Sequence, residues 1–283
     1  MKSYHSVLIT IATLASIPAV SAAALFGVTT DNRLVSFDTS APASFQTSAI
    51  ITGLFGADGV TPNPNGSILN LTSRPGVNPG EFQLWGIDDS ANIYTINPSG
   101  AATLISSSFT PTSFSGGFAY DPFNDNFVYG GDNAENFTLS LSGTPFSNAD
   151  LAYAGGGTPS VFGLGIDPAF GTVFAIDAVN DSLSTSINPS FPVNSELTIL
   201  GALGLDVTSF GGLVVDPDGN IFASLSTDGL TSSLYSINPT TGAATSIGSF
   251  GAGVGIAAIA VPEPSAALLG GLGALALLRR RRL

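Results

Sequence analysis

The feature that most constrains the fold is an internal repeat in the middle of the chain. Three short apolar runs, each ending in Asp-Pro, recur about 47 residues apart, at positions 117–122, 163–168 and 212–217. The residue before a proline prefers extended geometry, and proline cannot donate a hydrogen bond to a strand ladder. Each run is therefore predicted to be a β-strand that stops at its proline.

Further strand-like runs follow each of these and repeat in the same order. Second runs lie at 127–129, 173–175 and 221–223, third runs at 93–98, 183–189 and 234–239, and fourth runs at 101–105 and 243–247. Polar and apolar residues alternate in much of this region, as is typical of half-buried antiparallel strands. Four strands in about 47 residues form one blade of a β-propeller. We predict an all-β, five-bladed β-propeller; an open β-sandwich and a six-bladed ring are the alternatives.

The two ends of the repeat region predict how the ring closes. The first unit begins at Ala24, and its run 25–28 matches a second strand, so a first strand is missing there. The run 255–262 matches first strands and has no unit of its own. We therefore expect the C-terminal strand to complete the first blade, in one domain spanning 24–261. The least regular segment is 53–80, in which 61–66 is predicted to be a loop and 67–72 a first strand.

Residues 1–23 have the organisation of a secretory signal peptide. Lys2 gives the positive charge, 7–17 form a short apolar run, Pro18 interrupts it, and small residues follow at 20–23. The alternative is a buried N-terminal helix. The prediction implies a secretion translocon and a signal peptidase as partners.

The tail, 262–283, has three parts in a fixed order. A Pro-Glu-Pro motif precedes a 14-residue apolar run at 265–278, and a basic cluster follows it. The residues of the motif and the cluster are Pro262, Glu263, Pro264, Arg279, Arg280, Arg281 and Arg282. A short apolar helix of this length reaches about 21 Å, less than the roughly 30 Å of a bilayer core. The arginines would stay on the cytoplasmic side, which leaves the body outside.

This tail resembles the PEP-CTERM sorting signal, which is found in Gram-negative bacteria that make exopolysaccharide. The resemblance implies that an exosortase processes the tail near the motif and that the protein is released or attached at the cell surface. The membrane is then contacted only through the tail before processing, and exopolysaccharide is a candidate partner. A plain C-terminal anchor is the alternative.

The body resembles a bacterial family catalogued only as a domain of unknown function. The similarity lies in the opening 25–38 and in the repeat 94–103. Members of the family share the motif Thr-Thr-Asp-Asn-Arg-Leu in the opening and the motif Tyr-Thr-Ile-Asn in the repeat. Members often carry PEP-CTERM tails. The resemblance implies a fold and a location, and it brings no activity.

The charge of the body restricts its partners. Of the seven cations only Arg33 and Arg74 lie between 24 and 261, against 19 of the 20 acidic residues, for a net charge of 2 − 19 = −17. Such a field repels nucleic acid and anionic lipid and attracts cations, including calcium. The chain has no cysteine, so its stability must come from packing.

The body also lacks several catalytic side chains. The one histidine is His5 and the one lysine is Lys2, both in the signal segment. Nucleophilic triads, thiol chemistry and zinc sites built on histidine or cysteine are therefore excluded from the body. We predict a non-enzymatic binding or structural protein. A passive matrix filler and a carbohydrate-active hydrolase with paired carboxylates are the alternatives.

The candidate acids for such a hydrolase fall into two groups. Asp121, Asp167 and Asp216 occupy equivalent positions in the repeat, which predicts a structural role. Glu81, Glu135 and Glu196 break the repeat.

Two acidic loops are candidate calcium sites. Each loop concentrates residues with oxygen ligands. These residues are Asp121, Asn124 and Asp125 in one loop and Asp216, Asp218 and Asn220 in the other. Neither loop matches the EF-hand. The alternative, which we favour, is an Asx turn that binds no metal.

The two arginines of the body each have a predicted partner. Arg74 occupies the pre-proline position where later blades have aspartate, and we expect it to pair with those aspartates on one rim of the ring. Arg33 is expected to pair with Asp31 across a hairpin turn. Trp85 and the six tyrosines lie mainly at strand positions, which favours burial in the core over a glycan-binding surface.

Overall fold

A computed structural model describes residues 24–76, 78, 81–186 and 195–262. Within these ranges the protein is all-β, and its strands form five sheets. The first sheet contains β1 (Ala24–Thr29), β2 (Arg33–Asp38), β3 (Thr47–Ile50) and β21 (Ile256–Ala260). The second contains β4 (Ile68–Pro75), β5 (Phe82–Asp88), β6 (Ile93–Ile96) and β7 (Ala102–Ser106).

The other three sheets follow in chain order. The third contains β8 (Gly116–Asp121), β9 (Asn126–Gly131), β10 (Asn136–Leu139) and β11 (Pro145–Ser147). The fourth contains β12 (Ala152–Tyr153), β13 (Val161–Ile166), β14 (Val173–Asp177), β15 (Ser182–Ser186) and β16 (Glu196–Ala202). The fifth contains β17 (Gly211–Val215), β18 (Ile221–Leu225), β19 (Ser233–Ile237) and β20 (Ala244–Ser249). The five-bladed propeller is confirmed, and the sandwich and the six-bladed ring are wrong.

The innermost strands of the five blades pack directly against one another. They are β21, β4, β8, β13 and β17. Glycines on these strands allow the approach: a Cβ added to Gly117 would lie 2.3 Å from the Cβ of Leu164, and one added to Gly163 would lie 3.1 Å from the Cβ of Leu213. Because a side chain at these positions would force neighbouring blades apart, the glycines set the diameter of the ring.

The first sheet has the order β21-β1-β2-β3. β21 lies antiparallel to β1, with Gly27 opposite Ile259 and Val28 opposite Ala258. Every residue of β21 is buried. The strand therefore lies in the ring between β17 and β4, both of which it contacts.

Neighbouring blades are also tied at their outer strands. After β3, Thr52 donates its N–H to the carbonyl of Gly100 at 3.0 Å and accepts from the N–H of Ala102 at 2.9 Å. The same arrangement recurs where β12 runs parallel to β16. β12 thereby adds a fifth strand to the fourth blade, and the sequence did not predict this strand. These contacts satisfy backbone groups that an outer edge would leave open.

Apolar cores lie between the blades and are rich in aromatic rings. The rings of Trp85 and Phe127 are tilted by 40° with centroids 4.6 Å apart, and Phe109 meets Tyr129 edge-on at 5.1 Å. Trp85, Tyr94 and Tyr129 are buried, as their strand positions predict. Edge-on and tilted pairs of this kind add to the stability gained from burial.

In the part of the chain that the structure describes, no helix is long and apolar enough to cross a membrane. The predicted signal peptide at 1–23 and the predicted apolar helix at 265–278 lie outside the described residues.

Candidate functional site

Three turns at one end of the ring form a surface that we call the Asp-Pro rim. The turns are 121–126, 167–172 and 216–220, and they follow the innermost strands β8, β13 and β17. The ends of these strands meet at one mouth of the central channel, around a cavity of about 30 Å³. The rim is therefore the surface that surrounds this mouth.

The aspartate that begins each turn holds the turn together. Asp121 accepts from the N–H of Phe123 at 2.9 Å and from the side-chain amide of Asn124 at 2.7 Å. Asp216 accepts from the N–H and the side-chain amide of Asn220, at 2.8 and 2.9 Å. These are Asx turns, in which the carboxylate replaces backbone partners at the reversal of the chain.

Within the two candidate calcium loops, only some of the predicted ligands contact one another. Asn124 contacts Asp121 and Asn220 contacts Asp216, but Asp125 turns away to Arg74. No three acidic, histidine or cysteine side chains converge as metal ligands within the described ranges. The hydrogen bonds favour Asx turns for both loops.

Arg74 joins the second blade to the third. Its Nε and Nη2 donate to the two carboxylate oxygens of Asp125 at 2.9 and 3.0 Å. The hydroxyl of Tyr120 donates to the same carboxylate at 2.8 Å, and the guanidinium lies 5.9 Å from the centre of the Tyr120 ring. The hydrogen bond from Arg74 lowers the pKa of Asp125. This is the only ion pair among the residues described.

The predicted partners of the two arginines are wrong. Arg74 pairs with Asp125 rather than with the pre-proline aspartates, because those carboxylates are held inside their own turns. Arg33 donates to the hydroxyl of Ser48 at 2.8 Å, and Asp31 accepts from Thr29 instead. For the pre-proline aspartates, hydrogen bonds within the turn cost less chain entropy than an ion pair with Arg74, which lies far away along the chain.

Replacing Arg74 with glutamine is expected to lower the free energy of unfolding by about 0.2–1 kcal/mol, since the pair is partly exposed. The loss should be larger at low salt than at high salt. The folded-state pKa of Asp125 lies below 3.8, so the contribution of the pair is present above that pH and disappears as the pH falls through the lower value. Urea titrations of the unaltered protein and the variant at two salt concentrations measure the loss of unfolding free energy. Arg33→Gln is the control, and an equal salt effect in both variants would contradict the assignment.

Two exposed phenylalanines on the rim were missed by the sequence analysis. Phe123 and Phe170 lie in the turns of the third and fourth blades, and 60% and 82% of their surfaces are exposed. The prediction about a glycan-binding surface rested on tryptophan and tyrosine alone. The signal that could have found them is their position in Asp-Pro turns, where side chains face solvent.

The acids of the hydrolase alternative are dispersed. Glu135 follows β9 at the opposite end of the ring and accepts hydrogen bonds from Thr112. Glu81 accepts from the side chain of Asn78, and Glu196 is exposed at the start of β16. The linings of the two channel cavities, of about 30 and 10 Å³, contain no carboxylate.

Two buried aspartates were also missed, and both anchor loops. Asp88 is fully buried and accepts from the hydroxyl of Tyr94 at 3.0 Å, and that hydroxyl accepts from the N–H of Phe55 at 2.8 Å. Asp177 similarly accepts from the hydroxyl of Tyr153 and from the N–H of Ser160 at 3.0 Å. Each aspartate therefore connects its strand to the loop that precedes the innermost strand of the same blade.

Burial raises the pKa of Asp88. The folded protein thus binds this proton more tightly than the unfolded chain does. By itself this carboxyl makes the fold less stable as the pH rises from about 3.8 to its folded-state pKa.

Tyr94→Phe is expected to lower the free energy of unfolding by about 1–3 kcal/mol, because the buried carboxylate of Asp88 would lose one of its donors and the N–H of Phe55 would lose its acceptor. Tyr235→Phe is a matched control. Tyr235 is half-buried, and its hydroxyl makes no hydrogen bond within the described ranges. Chemical denaturation measures both. Equal effects would show that the hydroxyl of Tyr94 does not anchor the loop.

The fold and the rim define a five-bladed β-propeller with a packed centre. Three turns at one mouth of its channel begin with Asp-Pro and are held by hydrogen bonds to the aspartate. The chain belongs to DUF4394, a family described as a domain of unknown function, whose model matches residues 33–260. No curated protein matches the sequence.

Several solved structures share the architecture. A chain from a nidogen/laminin complex has a TM-score of 0.51 and 14% identity, over 87% of this chain and 100% of that one. An engineered GH43 glycoside hydrolase has a TM-score of 0.46 and 12% identity, over 64% and 41%. A luciferin-regenerating enzyme has a TM-score of 0.42 and 12% identity, over 87% and 79%. At these identities the likeness concerns the fold alone, and the two lower scores support no argument.

Proposed function

We propose that this protein is an exported, non-enzymatic propeller that acts as a binding or structural component at the cell surface or in the extracellular matrix. The observation that carries the proposal is the packed centre of the ring, whose cavities measure about 30 and 10 Å³. A channel of this size holds water and no larger ligand. A partner would therefore contact the outer surface of the propeller rather than its centre.

Export would use the signal peptide at 1–23, and sorting would use the tail at 262–283. We propose that β21 closes the ring and that an exosortase processes the tail beyond it. β21 ends at Ala260, and the Pro-Glu-Pro motif begins at Pro262. Removal of the tail near the motif would leave the closing strand in place, so the released body would keep its fold.

Cell fractionation tests this proposal. The full chain and a variant with Pro262, Glu263 and Pro264 changed to alanine are produced in a bacterium that has an exosortase. We expect the unaltered protein at the surface or in the medium, lacking 1–23 and the tail, and the variant in the membrane fraction. Recovery of the intact chain in the cytoplasm would overturn the proposal.

Calcium is the one cofactor that the sequence suggests. Because the carboxylates of Asp121 and Asp216 already accept hydrogen bonds within their own turns, a calcium ion would have to displace these donors. We therefore expect millimolar calcium to leave the melting temperature unchanged. A rise in the melting temperature that Asp216→Asn abolishes would instead identify a calcium site.

A further inference from the structure

The exposed rings of Phe123 and Phe170 are not required by the turns that carry them. The equivalent turn of the fifth blade has Asp218 and Gly219 in this region and forms the same Asx arrangement around Asp216. An aromatic ring in solvent forgoes the free energy that its burial would contribute. Exposed apolar residues mark an interaction site where they lie together on one surface.

The two rings belong to one surface. Phe123 lies against Gly171, the residue that follows Phe170: a Cβ added at Gly171 would meet Cε2 of Phe123 at 3.2 Å. Gly171 also has a φ of +70°, which favours glycine. The turn of the fourth blade thus leaves room for the ring from the third blade, and the phenylalanine that precedes Gly171 in this turn is itself 82% exposed. We call Phe123 and Phe170 the aromatic pair.

A fixed polar group adjoins the aromatic pair. Asp125 lies in the same turn as Phe123, and Arg74 and Tyr120 hold its carboxylate from one side. Its side chain stays half exposed. The site therefore combines flat apolar surface with donors and acceptors whose orientation is set before any ligand arrives.

The charge of the rim selects against anionic partners. Asp167, Asp216 and Asp218 lie on it, and the charge of its one arginine, Arg74, is already paired. Nucleic acids, anionic lipids and acidic polysaccharides would be repelled.

We propose that the aromatic pair binds a neutral polysaccharide. Sugar rings have apolar C–H faces that stack on aromatic rings, and their hydroxyls would exchange hydrogen bonds with Asp125 and Arg74. The inference rests on the proposed binding role and names the ligand class of the rim.

Affinity electrophoresis of the full chain in a mild detergent tests the inference. Native gels contain hydroxyethyl cellulose, dextran or galactomannan as neutral probes and alginate as an anionic probe. We expect one or more neutral probes to retard the protein, and Phe123→Ala and Phe170→Ala each to weaken that binding about tenfold. Phe146→Ala is the matched control, since Phe146 is 67% exposed but lies on the outer strand β11.

Melting temperatures of all variants show whether they fold alike. The inference is overturned if no neutral probe retards the unaltered protein, if the variants of the aromatic pair bind as it does, if the Phe146 variant loses binding equally, or if alginate is preferred. These outcomes leave the location found by fractionation unaffected, so the ligand and the proposed function fail separately.

Discussion

Gly117→Ala is expected to lower the free energy of unfolding by about 3 kcal/mol. The added methyl group would lie 2.3 Å from the Cβ of Leu164 and 2.4 Å from its backbone nitrogen. A flexible side chain could move aside, but a backbone atom in the next inner strand cannot. The third and fourth blades would have to separate, and the cores on both sides of this contact would be disturbed.

Urea denaturation followed by the fluorescence of Trp85, the one tryptophan of the chain, measures this loss. Gly155→Ala is the matched control, because a Cβ there meets no atom within 4 Å. We expect the control to be neutral or slightly stabilising, since alanine restricts the unfolded chain more than glycine does. Equal stability of the two variants would show that the inner strands do not touch as described.

A chain that ends at Gly255 is expected to lose cooperative unfolding. It lacks β21, whose five residues are all buried and which contacts the inner strands on either side. β1 would lose its antiparallel partner, and the hydroxyl of Ser224 would lose the carbonyl of Ile256, 3.1 Å away. The first blade would keep three strands and an open edge beside the channel.

A chain that ends at Pro262 is the control and should unfold like the full-length protein. Ile259→Ala gives a graded version of the test: this side chain is buried in the core of the first and fifth blades, so its loss should cost about 2–5 kcal/mol. If the chain ending at Gly255 unfolds in the same sharp transition as the control, β21 does not close the ring.

Local patterns in the sequence predicted the blades well. Each Asp-Pro run lies at the end of an inner strand, and the second runs lie within the strands found for their blades. The third and fourth runs overlap their strands, and most of them extend beyond these strands by one or two of the described residues. These features depend on neighbours in the chain, because proline ends a ladder and alternation selects the buried face of a strand. The strand β12 was missed because two residues have no periodicity to detect, and its partner β16 lies some 40 positions later.

The functional residues were predicted less well than the fold. Arg74 was expected to contact the pre-proline aspartates, since their equivalence in the repeat suggested one shared rim. Those carboxylates instead serve their own turns, and Asp125, outside the repeat pattern, receives the arginine. The buried role of Asp88 was likewise invisible, because its partner Tyr94 and the loop at Phe55 come together only when the blades pack.

The sequence by itself determined the four repeated strands of a blade and their order, since strand ends, turns and buried faces follow from interactions between residues near in the chain. The tertiary structure decided how closely the inner strands approach, which carboxylates accept which donors, and that Phe123 lies against the turn that carries Phe170. These depend on contacts between blades, where residues about 47 positions apart meet at distances that no local pattern specifies.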